Sequence, residues 1–299
     1  MSRMMNDRLR GFLLSAIAGV LWAITGVIGQ FLFEQKGVVP TWLVSYRLLS
    51  AGSLLLIYLK CTKGEILEVW HDKSDAKLLV LYSVTGMMMV QFSFFKAVET
   101  SNAGTATVLQ YLNPAMMLLF FAVTRGIRPA LNESIAVCMA LIGIFFVSTG
   151  GDVHNLTLSF EGLSWGLACA MFTCVYAILP IRLLRKYDPR AICGWGMLIG
   201  GIVLTAVVRP WTIDTTVDIA VIASMGFLVI FGTILPFCAS LISIPLIGPI
   251  NTNLLSSVEP IVAAIIAYFM LGTIFTLGEI LGFVLIIGTI FILALSKDR

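Results

Sequence analysis

The chain has 299 residues, of which 59% are hydrophobic and 12% are charged, and its formal net charge is +3. A soluble domain carries about 25% charged residues, so this composition excludes a water-facing surface of ordinary polarity. The small positive charge gives no reason to expect a nucleic-acid partner. The composition therefore predicts an integral membrane protein embedded in a lipid bilayer.

Apolar stretches of membrane-spanning length follow one another along almost the whole chain. A helix needs about 20 apolar residues to cross the hydrocarbon core of a bilayer. Ten stretches come close to that length, with approximate limits 11–33, 42–59, 77–98, 103–124, 132–150, 162–183, 190–208, 219–241, 248–271 and 277–295. The first is too long for the apolar part of a signal peptide, so we interpret it as a retained span. We predict an all-α membrane protein with ten transmembrane helices.

Basic residues are distributed unevenly between the segments on the two sides of the membrane. Lys and Arg collect on the cytoplasmic side of membrane proteins. With a cytoplasmic N-terminus, 15 of the 19 basic residues lie inside, 3 lie outside, and Arg47 falls within a span. This distribution predicts a multi-pass protein of the cell (inner) membrane whose N- and C-termini are both cytoplasmic.

A repeat relates the two halves of the chain at a constant offset of 146 positions. The matched pairs are Gly86 with Gly232, Pro114 with Pro260, Gly126 with Gly272, and Glu133 with Glu279. Each half holds five predicted spans, and an odd number makes the second half enter the membrane in the opposite orientation. Inverted repeats are typical of secondary transporters, which bind substrate near the midplane; a duplication with no transport role is the alternative. The predicted units are residues 1–155 and 156–299.

The segment SSVEP places a carboxyl group, Glu259, near the middle of the ninth span. An ionised side chain at that depth costs roughly 2.5–3.5 kcal/mol on insertion scales. Glu259 is therefore expected to face a cavity or a partner, or to carry a proton. Ser256 lies on the same helical stripe. The residues leave open whether Glu259 binds a substrate ammonium group, carries a proton, pairs with Arg47, or has a purely structural hydrogen bond.

The offset of 146 positions relates Asn113 to that carboxyl group, and a proline follows each of them. Proline removes a backbone donor and clashes with the carbonyl group four residues earlier. We therefore predict helix bends at Pro114 and Pro260, with freed carbonyl groups that could bind substrate; the alternative is that the prolines only shape helix packing. Gln110 shares the stripe of Asn113 and is a further candidate. Pro236 marks another predicted bend.

Arg47 lies in the outer third of the second span. It is a snorkelling residue at the membrane interface, an ion-pair partner of Glu259 or Glu99, or a contact for a substrate carboxylate. Other polar and aromatic residues near mid-span are candidates for the wall of a cavity, with plain packing as the alternative. These candidates are Trp22, Gln91, Tyr111, Tyr176 and Trp195.

Several motifs of enzymes and ATP-driven pumps do not occur in the sequence. It has no GxxxxGK[ST] phosphate-binding loop and no HExxH zinc motif, and its six cysteines form no CxxC pair. We therefore expect no cofactor and no metal, and a small molecule as the substrate. An intramembrane enzyme would need a paired nucleophile and base, and no such pair is evident.

Two paired segments, LQYLNPAMMLLFFAVTRG and LSSVEPIVAAIIAYFMLG, and the GE-GFVLIIGTIFIL-like span after the second resemble the drug/metabolite transporter superfamily, EamA type. The resemblance covers about residues 11–297. It implies ten helices around a central cavity, alternating access, and export or exchange of amino acids and other small metabolites. Many relatives end the fourth and ninth spans with Leu-Gly-Glu, and both acids are absent here, so no role of those acids transfers. A channel-like or assembly protein without alternating access is the alternative; proton coupling and oligomeric state stay open.

Overall fold

The computed structural model describes residues 2–62, 64–113, 115–117, 131–151, 158–256 and 258–295. Most of these residues are helical, and no strand occurs among them. The helices are α1 Ser2–Lys36, α2 Pro40–Cys61, α3 Lys73–Tyr82, α4 Met89–Thr100, α5 Ala103–Gln110, α6 Leu131–Thr149, α7 Phe160–Ile178, α8 Ile181–Lys186, α9 Pro189–Val208, α10 Ile219–Val229, α11 Leu235–Ile247, α12 Pro249–Ser256, α13 Val258–Leu271 and α14 Leu277–Leu295.

Seven helical stretches of the described chain are long and apolar enough to cross a membrane. They are Asp7–Lys36, Pro40–Cys61, Lys73–Thr100, Phe160–Lys186, Pro189–Val208, Ile219–Ile247 and Asn251–Leu271. Two shorter apolar helices, Ser134–Thr149 and Leu277–Thr289, fall on the fifth and tenth predicted spans. The fourth predicted span begins with α5, but positions 118–124 lie outside the described residues. The all-helical, multi-span character is therefore confirmed, whereas the count of ten and the inverted arrangement stay predictions.

Carboxylate caps fix the start of the third and eighth spans. Asp72 Oδ1 accepts the backbone N–H of Ser74 at 2.8 Å, and Asp218 Oδ1 accepts that of Val221 at 2.9 Å. Such caps satisfy free N–H groups in the first turn and complement the positive end of the helix dipole. The cap explains why α3 begins at Lys73, four residues before the predicted limit, even though its first turn is polar.

Two wide π-helical turns interrupt the third and eighth spans. Residues Ser83–Met88 join α3 to α4, and Ile230–Ile234 join α10 to α11. An offset of 146 positions carries 83–88 onto 229–234, so the two turns occur at corresponding places and contain Gly86 and Gly232. Turns of this kind are frequent at functional sites. No feature of the hydrophobic pattern predicts them.

The long helix α1 lies against elements of both halves, in contact with α4 and α5 and with α11, α12 and α13. Its glycines permit this close packing. A Cβ atom at Gly19 would lie 2.6 Å from the carbonyl oxygen of Ser256, and one at Gly29 would lie 2.4 Å from the ring of Phe95. Small residues have this role in membrane helix packing. Their placement puts α1 beside the centre of the bundle.

The predicted bends at Pro236 and Pro260 fall inside helical stretches. Pro236 directly follows the second π turn within Ile219–Ile247, and Pro260 lies within Asn251–Leu271. A proline inside a helix cannot donate a backbone hydrogen bond to the preceding turn, so the bends at these two positions stay predictions. Pro114 lies outside the described residues.

Candidate functional site

A cavity inside the helix bundle collects polar side chains from both halves of the chain. Its volume is about 50 Å³, which is room for a few water molecules at roughly 10–15 Å³ each. All nine predicted substrate-site residues lie on its wall: Trp22, Arg47, Gln91, Gln110, Tyr111, Asn113, Tyr176, Ser256 and Glu259. The structure thus brings together residues that are up to 237 positions apart, between Trp22 and Glu259.

The sequence pattern does not single out seven further residues of the wall. They are Thr25, Val90, Phe94, Phe95, Thr173, Phe237 and Asn253. The apolar members carry no signal, because an apolar side chain in a span fits lipid, a helix contact or a cavity equally well. Asn253 and Thr173 carry a signal that could have found them, because a polar side chain in a span usually avoids lipid and faces the interior.

Trp195 is the one mid-span candidate that the structure places elsewhere. Its indole Nε1 donates a hydrogen bond to the carbonyl oxygen of Ile66 at 2.7 Å, and its ring packs edge-on against Trp70 at 5.1 Å between centroids. Trp195 therefore anchors the segment after α2, and its prediction as a cavity residue is wrong.

Glu259 is buried in the cavity wall with 1% of its surface exposed. The Tyr111 hydroxyl lies 3.1 Å from Glu259 Oε2 and 2.5 Å from the carbonyl oxygen of Ser256. A hydroxyl has one hydrogen to donate. When Tyr111 donates to Ser256, a protonated Glu259 can donate to Tyr111; when Glu259 is ionised, Tyr111 can turn its hydrogen to the carboxylate. The geometry is therefore compatible with both the protonated and the ionised form of Glu259.

The two backbone carbonyl groups that prolines free are already occupied by donors from the protein. Each lies four residues before a proline, at Ser256 and at Gln110. The first accepts from Tyr111, and the second accepts from Asn113 Nδ2 at 3.0 Å. Side chains of the same wall thus satisfy both carbonyl groups in this structure, and whether they also contact a substrate stays a prediction.

Arg47 is buried with 1% of its surface exposed, which excludes the snorkelling interpretation. Its Nε donates to the Thr233 hydroxyl, and its Nη2 donates to the carbonyl oxygen of Gly232 at 2.7 Å. The guanidinium carbon lies 4.9 Å from the ring centroid of Phe95, which is a cation–π distance. Gly232 and Thr233 belong to the second π turn, so Arg47 of α2 docks onto that turn.

No ion pair among the described residues includes Arg47 or Glu259. Glu99, the other predicted partner of Arg47, pairs with Lys96. Of the alternatives that the sequence leaves open for Arg47, an ion pair with either acid is therefore not formed in the described part of the structure. A buried charge without a counter-charge is costly, and two such groups line one cavity.

Four polar atoms on the cavity wall are buried and have no hydrogen-bond partner within bonding geometry among the described residues. They are Nε1 of Trp22, Nη1 of Arg47, Oε1 of Gln91 and the hydroxyl oxygen of Tyr176. Buried polar atoms are nearly always hydrogen-bonded in native proteins. Two N–H donors, one acceptor and one hydroxyl group on the wall therefore have unused capacity for a polar ligand or water.

The EamA-like transporter family matches the chain twice, over residues 9–149 and 160–295. The chain belongs to this family. It is 34% identical over 295 residues to the uncharacterized inner membrane transporter YicL of Salmonella typhimurium, covering 99% of this chain and 98% of the relative. It is 23% identical to the uncharacterized transporter YyaM of Bacillus subtilis, covering 83% and 82%. A crystal structure at 17% identity covers 96% of each chain with a TM-score of 0.66, which shows a shared fold.

Membership of the EamA-like family confirms the resemblance predicted from the paired proline segments. The family and these relatives are named for transport and not for an enzymatic reaction. Together with the seven apolar helices of spanning length, this makes the chain an EamA-like multi-pass membrane protein. Its cavity is the candidate substrate site.

Proposed function

We propose that the chain is a secondary transporter that moves small metabolites, amino acids or related compounds, by alternating access. One observation carries this proposal: buried Arg47 and Glu259 line one cavity without an ion pair to any described residue. A zwitterion supplies a carboxylate for the guanidinium fork and an ammonium group for the carboxylate. Export is the proposed direction, because the family resemblance implies export.

The proposed architecture is two inverted five-helix repeats, residues 1–155 and 156–299, with ten transmembrane helices and cytoplasmic termini. Three observations support it. The family matches each half separately, the two π turns occur at corresponding positions, and basic residues divide 15 to 3 between the sides. In such transporters the substrate site lies between the repeats.

The lining of the cavity favours a carrier over the alternative of an open channel. Buried Arg47 and Glu259 come from different halves of the chain and line the same cavity. Two related halves supply two related ends that could open in turn. A channel-like or assembly protein needs no such pair of buried ionisable groups at one site.

Proton exchange is the driving force that we propose, and Glu259 is the residue that carries it. In the empty site a protonated Glu259 can donate to Tyr111, whose hydroxyl also reaches Ser256. Arrival of a substrate ammonium group favours the ionised carboxylate, and the proton leaves. Substrate and proton would then occupy the site alternately.

Counterflow in proteoliposomes tests the proposal. Vesicles containing the purified protein are loaded with a mixture of common amino acids, and entry of each radiolabelled amino acid is measured with and without this internal pool. A carrier gives entry that the internal pool accelerates; Glu259→Gln abolishes it or removes its pH dependence. Glu279→Gln is the matched control, because this acid is half-buried outside the cavity wall and hydrogen-bonds only to Thr276 among the described residues. Unchanged counterflow and pH dependence in Glu259→Gln would contradict the role of this residue.

A further inference from the structure

The carboxylates that cap α3 and α10 each hold a lysine from the other half of the chain. Asp72 and Asp218 are separated by the repeat offset of 146 positions. Lys36 Nζ lies 2.6 Å from Asp218 Oδ2, and Lys186 Nζ lies 3.3 Å from Asp72 Oδ2. Lys36 is the last residue of α1, and Lys186 is the last residue of α8. Each contact therefore joins the end of one half's first span to the start of the other half's third span.

These two contacts lie at opposite ends of the helix bundle. The start of α7 meets the end of α4, since the Ser159 hydroxyl lies 3.4 Å from the carbonyl oxygen of Thr100; α7 therefore runs antiparallel to α3 and α4. Near the end of α1, Gln30 accepts the N–H of Ala103 at 2.9 Å, and Ala103 is the first residue of α5, three positions after the end of α4. The end of α1 thus lies beside the end of α4, away from the start of α3.

The contact at the start of α3 is the more extensive of the two. Asp75 has a fully buried side chain and lies 2.7 Å from Lys186 Nζ and 2.8 Å from Arg182 Nη2. The Tyr187 hydroxyl donates to it at 2.8 Å. The residue 146 positions later is the apolar Val221. The contact between Lys36 and Asp218 therefore contains one carboxylate, whereas the contact at the start of α3 contains two.

The contact between Lys36 and Asp218 is correspondingly more open to water. Its side chains are 28% and 42% exposed. The hydrogen bond from Lys36 lowers the pKa of Asp218, and backbone N–H groups of Asp75 and Ser74 lower the pKa of Asp72. Both capping carboxylates are therefore charged near neutral pH, and exposed ion pairs of this kind are weak.

We infer that these contacts are two latches that close the two ends of the cavity in turn. Latch one is Lys36 with Asp218; latch two is Asp72 and Asp75 with Arg182, Lys186 and Tyr187. Both sets of contacts are formed in this structure, at opposite ends of the bundle that contains the cavity. Latch two contains more charged contacts and a buried carboxylate, so the end at latch one opens more readily. The inference rests on the proposed alternating access.

A cavity reporter tests which end each latch controls. Asn253 lines the cavity, so Asn253→Cys is placed in a chain whose six native cysteines are replaced by alanine. A membrane-impermeant maleimide is then applied to each face of oriented vesicles. Lys36→Gln removes latch one and leaves the α10 cap in place; Lys186→Gln weakens latch two and leaves the α3 cap.

The expected results differ in face and in size. Lys36→Gln raises the labelling rate from one face only, about two- to fivefold, as fits a partly exposed ion pair. Lys186→Gln raises it from the opposite face only, by about tenfold or more, because a buried carboxylate loses a partner. Lys36→Arg and Lys186→Arg keep the contacts and the original rates, which also shows that the positions tolerate substitution.

A control comes from an ion pair that lies within one segment. Arg190 pairs with Asp188 beside α9, so Arg190→Gln should leave labelling unchanged. Unchanged labelling in both latch variants, or an equal rise from both faces, would overturn the latches. Counterflow with the unmodified wild-type chain separates the two proposals: wild-type counterflow with no labelling response in the reporter chain overturns the latches alone, and absent counterflow by the wild-type chain overturns the transport function.

Discussion

The two halves of the chain share a scaffold but differ in where they place charge. Each half has a π turn, a capping carboxylate bound to a lysine, and a polar residue before a proline. The polar residue is Asn113 in the first half and Glu259 in the second. The second π turn receives Arg47, whereas Gly86 in the first lies close to the ring of Tyr82.

The shared backbone and the unlike charges of the two halves suit two different requirements, opening the two ends and recognising the substrate. In the proposed alternating access, related helix ends on opposite sides give two related ways to open, and for that the halves need similar backbones. A site that distinguishes the two ends of one small substrate needs unlike groups, and only unlike side chains supply them. Substitutions that equalise the halves should therefore affect substrate recognition more than folding.

The largest effect is expected when the charge at Glu259 is removed. Glu259→Gln should lower transport by about tenfold to a hundredfold, since a hydrogen bond to a charged group contributes roughly 1.5–3 kcal/mol. Asn113→Ala, at the related position, should lower it by less than tenfold, because it removes only neutral hydrogen bonds. Initial rates of counterflow compare the two variants. Equal losses would mean that the halves contribute alike.

A second large effect is expected at Arg47. Arg47→Lys should weaken substrate affinity about tenfold or more, because an ammonium group cannot serve Thr233, Gly232 and a carboxylate through one fork. The loss should be smaller for a substrate analogue without a carboxylate. Competition curves with both compounds measure this, with Trp195→Phe as a control outside the cavity. A loss equal for both compounds would point to a structural role for Arg47.

Much of the site can be predicted because the bilayer constrains polar side chains. Residues such as Gln91, Asn113 and Glu259 avoid lipid at mid-span, and the cavity is where they meet. The sequence does not reveal the partners of Arg47, because they are a backbone carbonyl group and a hydroxyl group in a π turn. The π turns cannot be predicted, because the segments SVTGMM and IFGTI contain no residue that forces a wide turn. The phenylalanines of the cavity wall cannot be predicted either, because in the sequence they look the same as phenylalanines that face lipid.

A moderate effect is expected when a side chain is added at the glycine of either π turn. A Cβ atom at Gly232 would lie 2.6 Å from Thr25 Oγ1, and one at Gly86 would lie 2.9 Å from the Tyr82 ring. Gly232→Ala and Gly86→Ala should each lower the free energy of unfolding by about 1–3 kcal/mol, measured by thermal unfolding in detergent. Only Gly232→Ala should also reduce substrate affinity, because it displaces the carbonyl group that holds Arg47. Equal affinity losses would contradict the docking role of the second turn.

The smallest effect is expected at Trp195, outside the cavity. Trp195→Phe should lower the free energy of unfolding by about 1 kcal/mol through loss of the hydrogen bond to Ile66. Counterflow rates should not change. A clear loss of substrate affinity in this variant would place the site closer to α9 than the cavity does.

The claim that one cavity binds both charges of a substrate is tested most directly by competition with capped substrates. For the amino acid that gives the strongest counterflow, its N-acetyl derivative and its methyl ester are added as competitors. We predict that the parent competes and that each capped form competes at least tenfold less well, because each removes one charge-assisted contact. Competition by both capped forms as strong as that of the parent would contradict a site built on Arg47 and Glu259.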